Sequence, residues 1–343
     1  MILVTGGTGM VGARVLFDCA AQGKEARALV RKSSDRTWVR SLFLFLAPDQ
    51  PRLFESIQWV EGDILDVDSL EAAMMGCDQV CHAAAVVSFH SSDRDIMMKV
   101  NAEGTANVCN VALDLGIKKL CFISSTAALG RSSTDEWVDD SATWKDSPLN
   151  TRYAISKYSG EREVWRIAEE GLNVVILNPS IIIGAGDFTR SSTAMFETMH
   201  KGLNYYPTGS NAAVAVKDIS GLCLQLLNSE YSGRFLAAGE NITYKDLLSQ
   251  IALSVGQEVP SRPATPWKLR LMKMYHRVRE WITGKKALIT RESIRNAQLC
   301  VNYKSERLSQ ELSFKFTPLH EAIAEGGAFF SHLKSTGYLG NKG

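Results

Sequence analysis

A chain of 343 residues, 45% hydrophobic and 22% charged, has the composition of a globular protein with a sizeable core, which excludes disordered and fibrous classes. Its formal net charge of +1 gives no global attraction to nucleic acid or to an acidic substrate. Seven cysteines without a CxxC pair read as reduced thiols rather than a disulfide framework, and six scattered histidines show no metal-ligand spacing, so no metal is expected.

Met1 runs directly into "ILVTGG", which leaves no room for a signal peptide, and a cytoplasmic protein is expected. The first predicted strand, "MILVT", leads into "VTGGTGMVG", with Gly6, Gly9 and Gly12 at three-residue spacing. Glycines there allow a tight turn, close backbone approach to a pyrophosphate and close helix–strand packing. The helix that follows, "MVGARVLFDCAAQG", starts with Met10 and Val11 and offers free N–H groups to phosphates. Val11, Val15, Leu16 and Cys19 form its apolar stripe, and Gly23 is its stop. The loop reads as a dinucleotide site; a plain tight turn is the alternative.

The second strand, "EARALV", ends in "RKSSDR". Where such a site usually places an acidic residue for the ribose hydroxyls, this chain has Arg31, then Lys32, Ser33 and Ser34. A guanidinium there pairs with a 2′-phosphate, so NADP(H) is favoured over NAD(H), against the alternative of a solvated basic turn.

Further strands are predicted at "SIQWVEG", "DQVCHAAA", "KKLCFISS" and "LNVVILNPS". They are continuous apolar runs, as parallel strands buried on both faces require. The runs "SLFLFLA" and "LNVVIL" are far below the roughly 20 residues of a membrane span. A helix over "VNAEGTANVCNVALDLG" ends at Gly116, and Cys77, Cys81, Cys109 and Cys121 read as small core residues. Alternating β and α units imply an α/β fold, a Rossmann-type doubly wound parallel sheet. The expected division is a dinucleotide-binding domain over 1–180, with a returning segment near 213–239, and an interleaved, mostly helical substrate domain over 181–343. After Pro179 the pattern is irregular up to "RFLAAG", a returning strand.

Two Tyr-x-x-x-Lys stretches occur, "YAISK" at Tyr153–Lys157 and "YLGNK" at Tyr338–Lys342, and the spacing alone leaves both open. Between Arg262 and Arg295 ten Lys or Arg stand against two Glu, which makes this the one strongly basic stretch. Within it, Leu269, Met272, Met274, Tyr275, Val278 and Trp281 of residues 267–286 group into an apolar helical stripe. Its readings are a substrate-domain helix with a solvated basic face, a membrane-surface helix, or an anion site.

In their order, "TGGTGMVG", "EGDILD", "HAAAVV", "VNAEGTANV", "FISSTAALG" and "YAISK" resemble the motifs of the extended short-chain dehydrogenase/reductases, the NAD-dependent epimerase/dehydratase superfamily. The resemblance covers nearly the whole chain. It implies Asp63 and Ile64 beside the adenine, and Ala83, Ala84 and Ala85 under the ribose and nicotinamide. Pro179 and Ser180 are added to the cofactor contacts. It implies Ser125, Tyr153 and Lys157 as the catalytic set, with Lys157 also holding the nicotinamide ribose. Order therefore selects Tyr153 over Tyr338. Asn101 is either a water-ordering cofactor-side residue or a structural amide, while His82 and His90 read as packing and loop residues. Val87, Thr126 and Asn178 join Ser125 and Tyr153 as implied substrate contacts. Many relatives dimerise, so a homodimer is expected.

The chemistry explains the residue types. Positions 153 and 157 share one helix face. A tyrosine with a pKa near roughly 10 is a poor acid–base group at neutral pH until a nearby ammonium lowers it. It can then move a proton to or from a carbonyl oxygen while hydride moves at carbon, an effect worth roughly 10²–10⁴ in rate.

Nucleotide-sugar members of the family carry aromatics and an arginine where this chain has Leu129, Ile183 and Asn178. The variant is more similar to the dihydroflavonol-4-reductase-like and 3-beta-hydroxysteroid-dehydrogenase-like branch, which implies reduction of an apolar, ring-bearing ketone or aldehyde. The alternatives are a redox-neutral nucleotide-sugar epimerase or dehydratase with tightly bound NAD(P), and a non-catalytic cofactor-sensing protein.

Overall fold

The computed structural model describes residues 1–130, 137–264 and 291–339. Seven parallel strands form the central sheet. They are β1 (Ile2–Thr5), β2 (Ala26–Val30), β3 (Gln58–Glu61), β4 (Gln79–His82), β5 (Lys119–Ile123), and, further along the chain, Val174–Pro179 and Gly233–Ala237. With Trp137–Val138 as β6, Val174–Pro179 is β7. Ile181–Ile183 is β8, Tyr205–Tyr206 is β9, Ser210–Ala215 is β10 and Gly233–Ala237 is β11. The sheet order is β11-β7-β5-β4-β1-β2-β3. The order reverses between β1 and β4, and in a doubly wound sheet the crevice at that switch point is where ligands sit.

Alternate residues of each strand enter two separate cores. Ile2, Val4, Cys121, Ile123, Val175 and Leu177 face one, and Leu3, Leu120, Phe122, Val174 and Ile176 face the other. The first core is covered by α1 (Met10–Ala21) and α2 (Thr37–Leu46); Val11, Val15, Leu16 and Cys19 are all buried there, as the stripe predicts. The second is covered by α3 (Val67–Met74) and, after the short helix α4 (Arg94–Met98), by α5 (Gly104–Asp114) and α6 (Arg152–Glu169).

Beyond Pro179 the chain is more regular than its sequence suggests. Helix α7 (Ala194–His200) precedes β10, which pairs with β8 and, antiparallel, with β12 (Glu240–Thr243). Helix α8 (Val216–Leu227) then packs on α1. The alanine-rich "SNAAVA" of β10 has a single β-branched residue, Val214, and β8 is three residues long, so neither carries a strand pattern strong enough to read. After α9 (Tyr244–Ser254), the terminal helix α10 (Leu319–Ser335) buries Phe329, Phe330 and Leu333 in the same core as α1 and α8. The basic 267–286 stretch lies outside the described residues. Among the described residues, no helix is long and apolar enough to cross a membrane.

Between α4 and α5 the helix passes through one π turn, Lys99–Glu103, whose Asn101 is fully buried. Here α6 crosses at Gly160, where an added Cβ would stand 2.1 Å from the Asn101 carbonyl oxygen. Only glycine fits that crossing. Gly160→Ala should therefore destabilise the protein by about 3 kcal/mol or more in chemical denaturation, at the upper end of overpacking effects. A loss under about 1 kcal/mol would show that the helices do not cross this closely.

Candidate active site

At the switch point the loop after β1 meets the loop after β4. A Cβ on Gly6 would lie 2.7 Å from the Ala83 carbonyl carbon and the Ala84 nitrogen, and one on Gly12 would lie 2.3 Å from the Gly6 carbonyl oxygen. Gly6 also takes φ of +71°, a conformation that favours glycine. Helix α1 begins at the cap Gly9 with no side-chain cap bond and no acidic residue in its first turn. Its opening N–H groups, including those of Met10 and Val11, have no partner further back in the helix and carry the positive end of its dipole. This cradle fits the pyrophosphate of a dinucleotide.

Arg31 and Lys32 are both exposed at the end of β2. The nearby acid Asp35 accepts from the Thr37 N–H at 2.9 Å and the Tyr338 hydroxyl at 3.0 Å. Tyr338, in the second Tyr-x-x-x-Lys stretch, thus bonds the loop after β2. Asp63 is half-buried and accepts from the Leu65 N–H at 3.0 Å, while Ile64 is buried against the start of α5. Ala83 and Ala84 are half-buried and Ala85 exposed along the segment after β4. Pro179 and Ser180 end β7 in buried positions, and the Ser180 hydroxyl has no hydrogen-bond partner among the described residues. An orphaned buried hydroxyl just past the C-terminal end of β7 fits a polar contact to a dinucleotide.

The catalytic candidates converge at the ends of β5 and α6. Thr151 caps α6 by accepting from the Ala154 N–H at 3.0 Å, which places Tyr153 in the first turn. The positive helix end there favours a phenolate. Ser125 accepts from the Ala127 N–H at 3.1 Å, leaving its own proton to donate. Burial raises the Tyr153 phenol above its ordinary pKa, and a hydrogen bond with Ser125 opposes that rise. Thr126 beside it is buried within a 3-10 turn.

Lys157, four residues on, is 1% exposed. Its Nζ donates to the Ile123 carbonyl at 2.8 Å and stands 4.2 Å from the Phe122 ring centre. Burial lowers its pKa to about 7, against the opposing charge of Glu161. His82 stacks on the same Phe122 ring and sits between the Thr5 and Thr105 hydroxyls at 2.7 and 3.0 Å. Burial, then the Lys157 charge, lower its pKa to about 3, so it is a neutral packing residue.

Asn101 is a structural amide in this arrangement. It donates to the Val86 carbonyl and to the Ser156 hydroxyl, each at 2.9 Å, and accepts from the Val86 N–H at 2.7 Å. It thereby clamps the loop carrying Val87 and Phe89. Asn178, expected among the substrate contacts, is instead fully buried beneath the site, donating to the Ser125 carbonyl and to Glu161, each at 2.9 Å. Glu161 and its partner Arg234 were not legible as site residues. The available signal was spacing: Glu161 is one turn past Lys157, a carboxylate on the buried stripe of α6. Among the described residues no group of acidic, cysteine or histidine side chains could hold a metal.

A family profile described as the NAD dependent epimerase/dehydratase family matches residues 2–234. The chain is 27% identical over 339 residues to a protein of Synechocystis sp. named "Putative dihydroflavonol 4-reductase", covering 96% of this chain and 94% of that protein. It is 28% identical over 272 residues to "Sterol demethylase protein B" of Methylococcus capsulatus, covering 78% of each. The crystal structure of gox2253 superposes with a TM-score of 0.78 at 27% identity, covering 98% of this chain and 99% of that one.

The buried ammonium makes stability depend on pH. Lys157 has a folded pKa of about 7, below its unfolded value near roughly 10.4, so between these values the unfolded chain binds more protons and stability rises with pH. Lys157→Met removes this term. Denaturation at pH 7 and pH 10 should show wild type gaining about 2–4 kcal/mol relative to the variant. Buried thiols oppose the trend at high pH but are common to both proteins. A pH-independent difference would mean that Lys157 is not desolvated.

Proposed function

The chain belongs to the NAD dependent epimerase/dehydratase family and is an NAD(P)-dependent enzyme, and from that premise we propose that it reduces a ketone or aldehyde on a small, apolar, ring-bearing substrate with NADP(H), Tyr153 being the proton donor. The observation that carries this reading is an acid–base pair set beside exposed apolar surface. Ser125 lies near enough to Tyr153 to oppose the effect of burial on its phenol, and Phe89 stands edge-on to Tyr153 with ring centroids 6.4 Å apart. Phe89 and its neighbour Val87 keep 38% and 44% of their surface exposed. An apolar ring would cover that surface, gaining roughly 25 cal/mol per Å² removed from water. The names of the two relatives, a dihydroflavonol reductase and a sterol demethylase protein, fit a substrate of this kind.

When bound, the nicotinamide supplies hydride to the carbonyl carbon. The chain's own residues do the rest. Ser125 donates a hydrogen bond to the carbonyl oxygen and fixes its place. Tyr153 delivers the proton to that oxygen as charge develops on it. Lys157 favours the phenolate left behind and holds the ribose hydroxyls. Asn101 keeps the Val87–Phe89 loop at the substrate's side.

The NADP(H) preference rests on the exposed Arg31 and Lys32, with Asp35 engaged by Thr37 and Tyr338. A guanidinium pairs with a 2′-phosphate that a ribose hydroxyl does not provide.

The deciding experiment follows NADPH absorbance with the purified protein over apolar ketones, aldehydes and nucleotide sugars. Consumption with a ketone or aldehyde establishes the reductase; none anywhere, with cofactor bound, favours a redox-neutral epimerase or dehydratase. Tyr153→Phe should lower turnover at least about 10²-fold while NADPH affinity stays nearly unchanged, because only the acidic proton is lost. More than a trace of activity would remove Tyr153 from its role. Arg31→Ala should weaken NADPH binding by about tenfold or more, with little effect on NADH, in fluorescence titration. Equal losses for both would remove the NADP(H) assignment.

A further inference from the structure

Beneath the candidate site lies a buried carboxylate that the proposed reaction does not use. Glu161 is 1% exposed, on the same helix as Tyr153 and Lys157 and one turn beyond the lysine. One of its oxygens accepts from the Ser124 hydroxyl at 2.7 Å and from the Asn178 amide at 2.9 Å. The other takes both the Nε of Arg234, at 2.9 Å, and a terminal guanidinium nitrogen of the same residue. The same Asn178 amide also donates to the Ser125 carbonyl. A single carboxylate therefore joins the catalytic helix to the ends of β5 and β7 and to the start of β11.

A carboxylate held out of water needs such partners, since an isolated buried charge is costly. Arg234 supplies one full charge and in turn donates to the Ala142 carbonyl and faces the Trp165 ring. The bonds from Ser124 and Asn178 satisfy the carboxylate's other oxygen. These two bonds point toward Ser125, and the carboxylate's charge acts on Lys157.

We propose that Glu161 is the positioning residue of this site, seating Ser125 through Ser124 and Asn178. The proposal rests on the assignment of Ser125 as the residue that holds the substrate oxygen beside Tyr153. Glu161 acts by fixing the Ser124 hydroxyl and the Asn178 amide, and the same amide holds the Ser125 carbonyl. Without the carboxylate both partners lose their acceptor, and Ser125 loses the contact that sets its place.

The test is a double-mutant cycle on NADPH turnover with the ketone or aldehyde that the wild-type protein consumes fastest. Glu161→Met/Arg234→Met removes the acceptor and its cation together, so neither charge is left unpaired. It should melt near wild type yet lower kcat about tenfold with KM nearly unchanged, and it should have little further effect in a Ser125→Ala background. Glu161→Gln keeps one oxygen for Ser124 and Asn178 and should recover most of that loss. A kcat loss that is absent, or equal in the two backgrounds, overturns the proposal, since Glu161 would then act independently of Ser125. If Ser125→Ala itself leaves kcat unmoved, the assignment of the site fails instead, and the two failures are distinct.

Discussion

The arrangement at the mouth of this sheet is governed by a lysine ammonium kept out of water. Moving such a group from water into a protein interior costs several kcal/mol unless other groups replace its hydration. Here the replacements are a carbonyl at the end of β5, an aromatic face and a carboxylate one helical turn away. Two of them come from β5 and the third from α6 itself, so the lysine is satisfied only when α6 lies correctly on β5. The neighbouring histidine has to stay neutral, and burial among two threonine hydroxyls and a phenylalanine ring ensures that it does. The polar residues under the site are therefore not scattered exceptions to an apolar core. They are the conditions under which one cation can be held there.

The same logic extends to the helix crossing. Gly160 permits the π turn to approach α6, and Asn101 on that turn reaches both Ser156 of α6 and the backbone of Val86. π turns interrupt regular helices and recur at functional sites. In this protein the turn aims a buried amide at the loop that borders Tyr153. Rigid elements thus fix Tyr153 and Lys157, while a clamped loop presents the apolar surface beside them.

Much of this was legible from residue order. The glycine loop announces itself because the turn, the close approach at Gly6 and the helix start each demand a residue type that chance seldom assembles. The buried strands read as apolar runs for the same reason that they are buried: helices cover both faces. Two things were hidden. The strands after Pro179 are either very short, as β8, or alanine-rich, as β10, so their pairing with distant segments, not local preference, decides their conformation. The Glu161 node was hidden because its meaning depends on β7 and β11 arriving beside α6, and sequence spacing reveals only its place relative to Lys157.

Placement also changes what the departures from the family's motifs can mean. Leu129 and Ile183 stand where nucleotide-sugar members carry aromatics, and both are buried, at 4% and 0% exposure. Leu129 packs with Ala212, Leu236 and Tyr303, and Ile183 joins the core under α1 and α8. Neither side chain offers surface to a substrate, and Asn178 lies deeper still, bonded to the Ser125 carbonyl. An aromatic introduced at Leu129 or Ile183 would overpack a closed core before it changed a binding surface. The apolar side chains that stay in contact with solvent on the clamped loop beside Tyr153 are Val87 and Phe89. The buried trio of differences marks a change in how the core under the site is packed. The exposed pair leaves the surface beside Tyr153 apolar.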